Sequence, residues 1–229
     1  MFRRLALAIL ATSCLAWLSM ATPTSATSPT SLEDKLLRDA TLVFQRAVGT
    51  PSAAIPASVL MRARAIAVFP AAVKDGARYY GQGVVSARGA RFDYWTPPAI
   101  LAFEGAIPLE VEADRLDFLI VAQTPLGLDY LTQDRFRHPV PHAIAPGALG
   151  RDTPVNINAD LLAYMQFGGY FAGVTVDDWI IGEMKESNAQ VYGRAYSTDE
   201  IVRGRGFFHL PSAARVWRDA LADYFRDMS

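Results

Sequence analysis

The chain has 229 residues, of which 51% are hydrophobic, and its 22 basic and 23 acidic side chains give a formal net charge of −1. This length is sufficient for one domain with a hydrophobic core. The balanced charge argues against a nucleic-acid partner, because nucleic-acid-binding domains carry a strongly basic surface.

The first 26 residues have the composition of an export signal. A short basic start precedes an apolar run from Leu5 to Leu18, and small residues up to Ala26 follow it. These parts, in this order, are typical of a secretory signal peptide. The apolar run is shorter than the ~20 residues of a membrane-spanning helix, although an uncleaved anchor is the alternative. We predict a signal peptide at residues 1–26, one domain at 27–229, and a periplasmic or secreted location.

Cys14 is the only cysteine of the chain. The residues before it, Ala11-Thr12-Ser13, faintly resemble the sequence that precedes the lipidated cysteine of bacterial lipoproteins, so a lipid-anchored form is the alternative. Because the apolar run continues to Leu18, we predict that Cys14 lies inside the signal and is removed with it. The domain then has no disulfide, and its core alone must stabilise it.

Two helices are predicted at the start of the domain. From Ser31 to Val48 apolar residues recur at helical spacing, and the hydroxyl of Ser31 or of Thr30 can cap the first turn. Gly49 ends this helix. Pro56 can open a second, shorter helix, because proline is tolerated at the first helical position.

The middle of the chain is predicted to be mainly strands, because short apolar or alternating runs there are separated by turn residues. The predicted strands are Ala65–Phe69 (closed by Pro70), Tyr79–Ala87, Arg91–Trp95, Leu109–Ala113, a central Arg115–Ala122, Ala163–Phe167, Tyr170–Val176 and Trp179–Gly182. Arg91–Trp95 is predicted to pair with Tyr79–Ala87, and Trp179–Gly182 to follow Asp177-Asp178 as a hairpin arm. Pro98–Phe103 is predicted as a helical turn, Leu126–Leu131 as a short helix, and Val140–Ala145 and Asp152–Asn158 as extended.

Helices return at the end of the chain. They are predicted at Lys185–Tyr192, near Thr198–Val202, and at Pro211–Phe225. An order of helix, many short strands and helix is typical of an α+β fold. We therefore predict an antiparallel curved sheet or open β-barrel packed against N-terminal and C-terminal helices.

No group of residues has the composition of a catalytic or metal site. His138 and His142 flank prolines and have no third cysteine or histidine nearby, whereas a zinc site needs three or four ligands. No serine lies in a G-x-S-x-G turn. The pair Glu110 and Glu112 is explained by a solvated strand face. We expect no enzyme activity, no cofactor and no metal.

Six short motifs, in one order along the chain, resemble those of the SYLF-domain family, which is related to yeast Las17-binding actin regulators. The motifs are Ile55-Pro56 with Ala63 to Pro70, Gly81-x-Gly83-Val84, Tyr94-Trp95-Thr96-x-Pro98, Pro146 to Arg151, Gly169 to Thr175, and Asn188-x-x-Val191-Tyr192-Gly193. One such motif is weak, but six in order over nearly the whole domain are specific. The chain is identified as a divergent, exported bacterial member.

The resemblance implies a binding domain without catalytic residues. SYLF domains bind phospholipids, and some eukaryotic members bind and bundle actin. The expected partner is a phospholipid or other amphiphile, reached by peripheral contact with a membrane. The chain departs from the family where Pro108, Glu110 and Glu112 replace residues of a glycine-rich strand. These replacements favour the alternative, an envelope structural or protein-interaction domain that has lost lipid binding and has an envelope protein as partner.

Five residues are the candidate lipid contacts. Arg151 could hold a phosphate with its guanidinium, or form a surface salt bridge instead. Trp95 and Phe171, with Tyr94 and Tyr170, could line an apolar groove for an acyl chain or a headgroup. The alternative for these aromatic residues is a core of cross-strand pairs.

Overall fold

The structure is a computed structural model. It describes residues 31–49, 55–89, 94–107, 113–133, 136–138, 159–167, 170–174, 177–206 and 209–228. The predicted signal peptide, the predicted extended segments at 140–145 and 152–158, and all but the last residue of the predicted strand at 109–113 lie outside the described residues.

Helices enclose a run of strands along the chain, as predicted. The elements are α1 Leu32–Gly49, α2 Ala57–Met61, β1 Ala65–Asp75, β2 Arg78–Ala87, β3 Ala99–Ala106, β4 Arg115–Ala122, α3 Pro125–Thr132, β5 Phe136–His138, β6 Leu161–Phe167, β7 Tyr170–Val174, β8 Asp177–Glu183, α4 Lys185–Tyr192, α5 Thr198–Val202 and α6 Ser212–Asp227. The strands form one sheet in the order β5-β8-β3-β2-β1-β4-β6-β7. All of its pairings are antiparallel.

The sheet is strongly curved. The rings of Trp179 on β8 and Phe118 on β4 lie 5.5 Å apart, although three strands separate β8 from β4. In a flat sheet four strand spacings would keep them about 19 Å apart. The chain also passes from Val174 on β7 to Asp177 on β8 in three residue steps, which span at most about 11 Å. The predicted fold class, with its curved sheet and helices from both ends of the chain, is confirmed.

The two faces of the sheet bury separate cores. The inner, concave face is filled by aromatic side chains in contact with one another: Phe69, Tyr79, Phe103, Phe118 and Trp179. The outer face is covered in part by α1, α2 and α6. Burial on both faces of one sheet gives this disulfide-free domain the apolar area that stabilises it.

Trp217 anchors α6 to the outer face of the sheet. Its indole is fully buried and donates a hydrogen bond to the Ser86 hydroxyl of β2 at 2.9 Å. At the start of α1, the Ser31 hydroxyl accepts from the Asp34 amide at 3.0 Å, and this confirms its predicted capping role.

Two predictions about the strands were wrong. The Pro98–Phe103 segment is not a helical turn, because Ala99–Ala106 forms β3 between β2 and β8. A short apolar run does not by itself distinguish the two. Trp179 lies in a strand, but β8 pairs with β3 and β5 instead of forming a hairpin with β7. The described part of the predicted strand 91–95 is Tyr94 and Trp95, and Trp95 forms an antiparallel bridge with Arg88 next to β2; residues 91–93 lie outside the described residues.

β1 also continues past Pro70, where the sequence predicted its end. The ladder with β2 shifts its register between Val68 and Val73, and Ala71 adopts a positive φ of 50°. The Asp117 carboxylate accepts from the Ala71 amide at 2.8 Å and from Arg46 of α1 at 2.7 Å. Asp117 therefore holds a bulge in β1 and joins it to the end of α1.

Tyr164 on β6 provides the first stability test. Its hydroxyl is fully buried and has no hydrogen-bond partner, and burial raises the pKa of the phenol. Because an unsatisfied buried hydroxyl is unfavourable, we expect Tyr164→Phe to raise the free energy of unfolding by about 1 kcal/mol in urea titrations.

Tyr192→Phe is the matched control for this substitution. The Tyr192 hydroxyl donates to the Pro98 carbonyl, so its removal should lower the free energy of unfolding by about 1 kcal/mol. A loss of stability in Tyr164→Phe as large as that in the control would show that the Tyr164 hydroxyl is hydrogen bonded.

Candidate functional site

A row of four residues forms one end of the sheet. Arg64 precedes β1, and its amide donates to Ala122 of β4 at 2.7 Å, while its carbonyl accepts from the Arg88 amide at 2.7 Å. Continuing the pairings of Ala65 with Ala87 and Ala122 places Arg64 between Arg88 and Gln123. Arg88 is in turn bridged to Trp95. We call Gln123, Arg64, Arg88 and Trp95 the rim row.

The rim row belongs to the outer face of the sheet. Side chains alternate between faces along a strand. Arg64, Arg88 and Gln123 each lie two positions from a residue of that face, namely Ile66, Ser86 and Val121. The three polar side chains therefore leave the sheet on the same side, next to α2 and the end of α6.

Arg88 is a half-buried cation in a defined environment. Its guanidinium donates to the carbonyls of Met61 at 2.9 Å and Leu60 at 3.2 Å, at the end of α2. It also lies over the rings of Trp95 and Phe225, at 5.3 Å and 4.3 Å from their centroids. Burial, together with the neighbouring Arg64, lowers the pKa of Arg88 to about 10. Arg88 is therefore still a cation at neutral pH.

Arg64 contributes a second positive charge at the surface. Its side chain is exposed, and it forms no ion pair or hydrogen bond with any other residue of the described ranges. Two arginines side by side on adjacent strands repel each other. Two positive side chains therefore lie side by side at this end of the sheet, although the chain as a whole is almost neutral.

Exposed apolar side chains flank the two arginines. Tyr94, next to Trp95, is 48% exposed, and Leu126, in the first turn of α3 three residues after Gln123, is 47% exposed. The Tyr94 ring lies directly against Gly89, since a Cβ atom at that glycine would be 2.2 Å from its Cδ1. This end of the sheet thus has an exposed aromatic ring and an exposed aliphatic side chain in addition to the two cations.

The residues predicted as lipid contacts have different surroundings. Trp95 and Phe171 are buried, at 0% and 4% exposure, so neither presents its side chain to solvent in this structure. Tyr94 is exposed. The backbone of Tyr170 lies in β7, whereas its side chain and the whole of Arg151 lie outside the described residues. The lipid contacts assigned to these residues stay predictions.

Two features are absent from the described ranges. No group of three or more histidine, cysteine, aspartate or glutamate residues there could hold a metal ion. No helix in the same part of the chain is both long enough and apolar enough to cross a bilayer.

Sequence reasoning missed Arg64, Arg88, Gln123 and Leu126 as site residues. A signal for the two arginines was present, because one stands just before the first strand and the other just after the second. In a hairpin these positions lie at the same end of the two strands, although the register decides whether they stand directly opposite each other. No such signal exists for Gln123 and Leu126, whose positions depend on β4 pairing with β1.

Comparison with known proteins assigns the family. The Ysc84 family, described as "Las17-binding protein actin regulator", matches residues 105–224. LAS seventeen-binding protein 3 of Saccharomyces cerevisiae, from strains YJM789 and S288c, is 28% identical in an alignment of 194 residues that covers 80% of this chain and 41% of the yeast protein. The chain thus spans about two fifths of the length of these curated relatives. With more than half of its residues matched, the chain belongs to the Ysc84 family of binding domains, the SYLF family that its motifs resemble.

Proposed function

We propose that the chain is an exported, non-catalytic phospholipid-binding domain that acts at a bacterial cell envelope. The observation that carries this proposal is the exposed pair Tyr94 and Leu126 on either side of Arg64 and Arg88. Tyrosine is favoured at the membrane–water interface, where its ring is apolar and its hydroxyl remains hydrated. Arginines near the surface of an anionic membrane each add about 1 kcal/mol of attraction.

The envelope location rests on the sequence. Residues 1–26 have the basic, apolar and small-residue parts of an export signal. A protein exported in this way meets the outer leaflet of one membrane or the inner leaflet of another. The expected contact is peripheral, through the end of the sheet, and involves no catalytic residue.

Vesicle co-sedimentation tests the proposal. We expect the double variant Tyr94→Ser/Leu126→Ser to bind phosphatidylcholine vesicles about tenfold more weakly than the wild type, because two apolar side chains are lost from the contact. The wild-type domain, residues 27–229, should sediment with the vesicles.

Val216→Ser is the matched control for these variants. Val216 on α6 is 52% exposed, and its loss should leave vesicle binding within about twofold of the wild type, since surface contacts of this size contribute little away from the interface. Absence of binding by the wild type to zwitterionic and anionic vesicles alike would refute the proposal. Equal losses of vesicle binding in the control and in the double variant would show that the membrane contact does not depend on Tyr94 and Leu126.

A protein-interaction role is the second candidate, and the name of the yeast relative favours it, because that protein is called a Las17-binding protein. In this case the exposed end of the sheet would contact an envelope protein instead of a lipid. Chemical cross-linking in the producing cell, followed by identification of the partner, distinguishes the two. The second role is supported if a single protein is cross-linked to a probe at Tyr94, if Leu126→Ser abolishes this cross-link, and if the domain binds no vesicles.

A further inference from the structure

We infer that Arg64, Arg88 and Gln123 form a binding site for a phosphate ester that also carries hydroxyl groups. The phosphoglycerol headgroup of a phospholipid and free glycerol 3-phosphate share this chemistry. The inference rests on the proposed function in one respect: the site would bind the lipid headgroup at the same end of the sheet that is proposed to contact the membrane. It is carried by contacts of the rim row that membrane contact alone does not explain.

The first contact is the pair of adjacent arginines. The backbones of Arg64 and Arg88 are hydrogen bonded to each other at 2.7 Å, so the two cations leave the sheet from neighbouring positions. Like charges placed directly opposite each other on paired strands destabilise a sheet. Arg64 has no ion-pair partner in the described part of the chain. An anion between the two side chains would remove this repulsion.

The second contact is the side chain of Gln123, on the other side of Arg64. This residue is only 6% exposed, yet neither its amide nitrogen nor its amide oxygen has a hydrogen-bond partner. A buried amide left in this state costs about 1–3 kcal/mol for each unsatisfied group. Such a residue in a folded protein is an indication that a ligand supplies the missing partners.

The chemistry of the amide restricts the ligand. The nitrogen of Gln123 can only donate, and its oxygen can only accept. The inorganic phosphate dianion carries its one hydroxyl and its oxyanions on a single phosphorus atom, whereas a phosphate ester of a polyol carries hydroxyl donors several bonds away from its oxyanions. A phosphoglycerol group therefore satisfies the amide and the arginine with one molecule.

Arg64 and Arg88 have different roles towards this ligand. The guanidinium of Arg88 is occupied by the Leu60 and Met61 carbonyls and two aromatic rings, so it acts as a fixed positive charge. Arg64 is exposed, and its planar guanidinium can form two parallel hydrogen bonds with a phosphate. The Trp95 indole nitrogen, also buried without a partner, lies beyond Arg88 as a further donor in the row.

The test uses Arg64→Gln and Gln123→Met in the domain of residues 27–229. Binding of glycerol 3-phosphate is measured by calorimetry, and binding to vesicles is measured with phosphatidylcholine alone and with added phosphatidylglycerol. We expect both variants to lose the preference for phosphatidylglycerol, or the affinity for glycerol 3-phosphate, by at least about tenfold. Arg215→Gln is the matched control, because Arg215 on α6 is exposed and its loss changes the net charge equally.

Gln123→Met supplies a readout that a merely structural residue would not give. It replaces an unsatisfied amide by an apolar side chain of similar length, so the variant should unfold at a higher urea concentration while it loses binding. A stable Gln123→Met variant that binds both probes like the wild type would overturn the inference. A loss of binding in Arg215→Gln equal to that in Arg64→Gln would also overturn it, because charge alone would then be responsible.

The same measurements distinguish a lipid headgroup from a soluble phosphate ester, and they test this inference separately from the proposed function. If glycerol 3-phosphate displaces the domain from vesicles, the site accepts the soluble ester. If the domain prefers vesicles with phosphatidylglycerol and glycerol 3-phosphate does not displace it, the site binds the lipid headgroup. Wild-type binding to phosphatidylcholine without any preference for phosphatidylglycerol or affinity for the ester refutes this inference but not the proposed function. Binding of the ester without binding of any vesicle refutes the proposed function but not this inference.

Discussion

Replacement of Gly83 by alanine is expected to lower the free energy of unfolding by at least about 3 kcal/mol, at the upper end of overpacking effects. A Cβ atom at this position of β2 would lie 2.3 Å from Cδ1 of Phe69 and 2.4 Å from the carbonyl oxygen of Val68. Phe69 is fully buried and packs on Phe103 with a centroid distance of 5.1 Å, so its ring has no free space to enter. Urea unfolding of Gly83→Ala measures the loss.

Gly182→Ala is the control in the same sheet. The nearest atom to a Cβ at Gly182 of β8 is the Ala102 Cβ at 4.0 Å, which is an ordinary contact. We expect this variant to change the free energy of unfolding by less than about 1 kcal/mol. If Gly83→Ala and Gly182→Ala unfold at the same urea concentration, the Phe69 ring does not lie over β2 in the inner core.

The glycine motif of β2 shows what a sequence pattern can predict. A strand was predicted at Tyr79–Ala87, and within it Gly83 permits the close approach of Phe69. The helices α4 and α5 begin and end at their predicted residues. In these places local propensity, capping and turn residues agree with one another, so the tertiary structure does not override them.

The rim row could not be predicted, because its register depends on a bulge. Counted back from the turn pair of Asp75 and Arg78, an uninterrupted ladder would place Arg64 opposite Gly89. The register shift between Val68 and Val73 places Arg64 opposite Arg88 instead. A slip of one residue moves every side chain of a strand to the other face.

The bulge itself depends on residues that are distant in the sequence. Ala71 keeps its positive φ because Asp117, on another strand, accepts a hydrogen bond from its amide. No feature of the stretch Phe69-Pro70-Ala71 indicates that a carboxylate will be present at that point. The pairing of the two arginines is therefore determined by a long-range contact, and this places it beyond local sequence patterns.

The same reasoning explains the error at β3. Ile100, Leu101 and Phe103 are compatible with one face of a short helix, and they become a strand because β2 and β8 lie on either side. Their inner and outer positions then contribute to separate cores, Leu101 and Phe103 to the inner core and Ile100 to the outer one. The outcome was decided by partners that the local sequence does not contain.

Asn188→Ala is expected to lower the free energy of unfolding by roughly 2 to 4 kcal/mol, from the loss of a buried hydrogen bond together with a cavity. Asn188 on α4 is fully buried. Its Oδ1 accepts from the Ile100 amide at 2.8 Å, and its Nδ2 donates to the Tyr196 carbonyl at 3.4 Å. The ladder between β3 and β8 ends with Leu101 and Glu183, so the asparagine takes the place of the next strand residue.

Gln190→Ala, at an exposed position of the same helix, is the control and should change the free energy of unfolding by less than about 0.5 kcal/mol. Hydrogen exchange distinguishes the proposed cause from a general loss of packing. In Asn188→Ala the Ile100 amide should exchange much faster while the amides of β1 remain protected, because only the start of β3 loses its partner. Uniformly faster exchange across the sheet would instead show that Asn188 acts through the volume that it fills and not through its hydrogen bond to the start of β3.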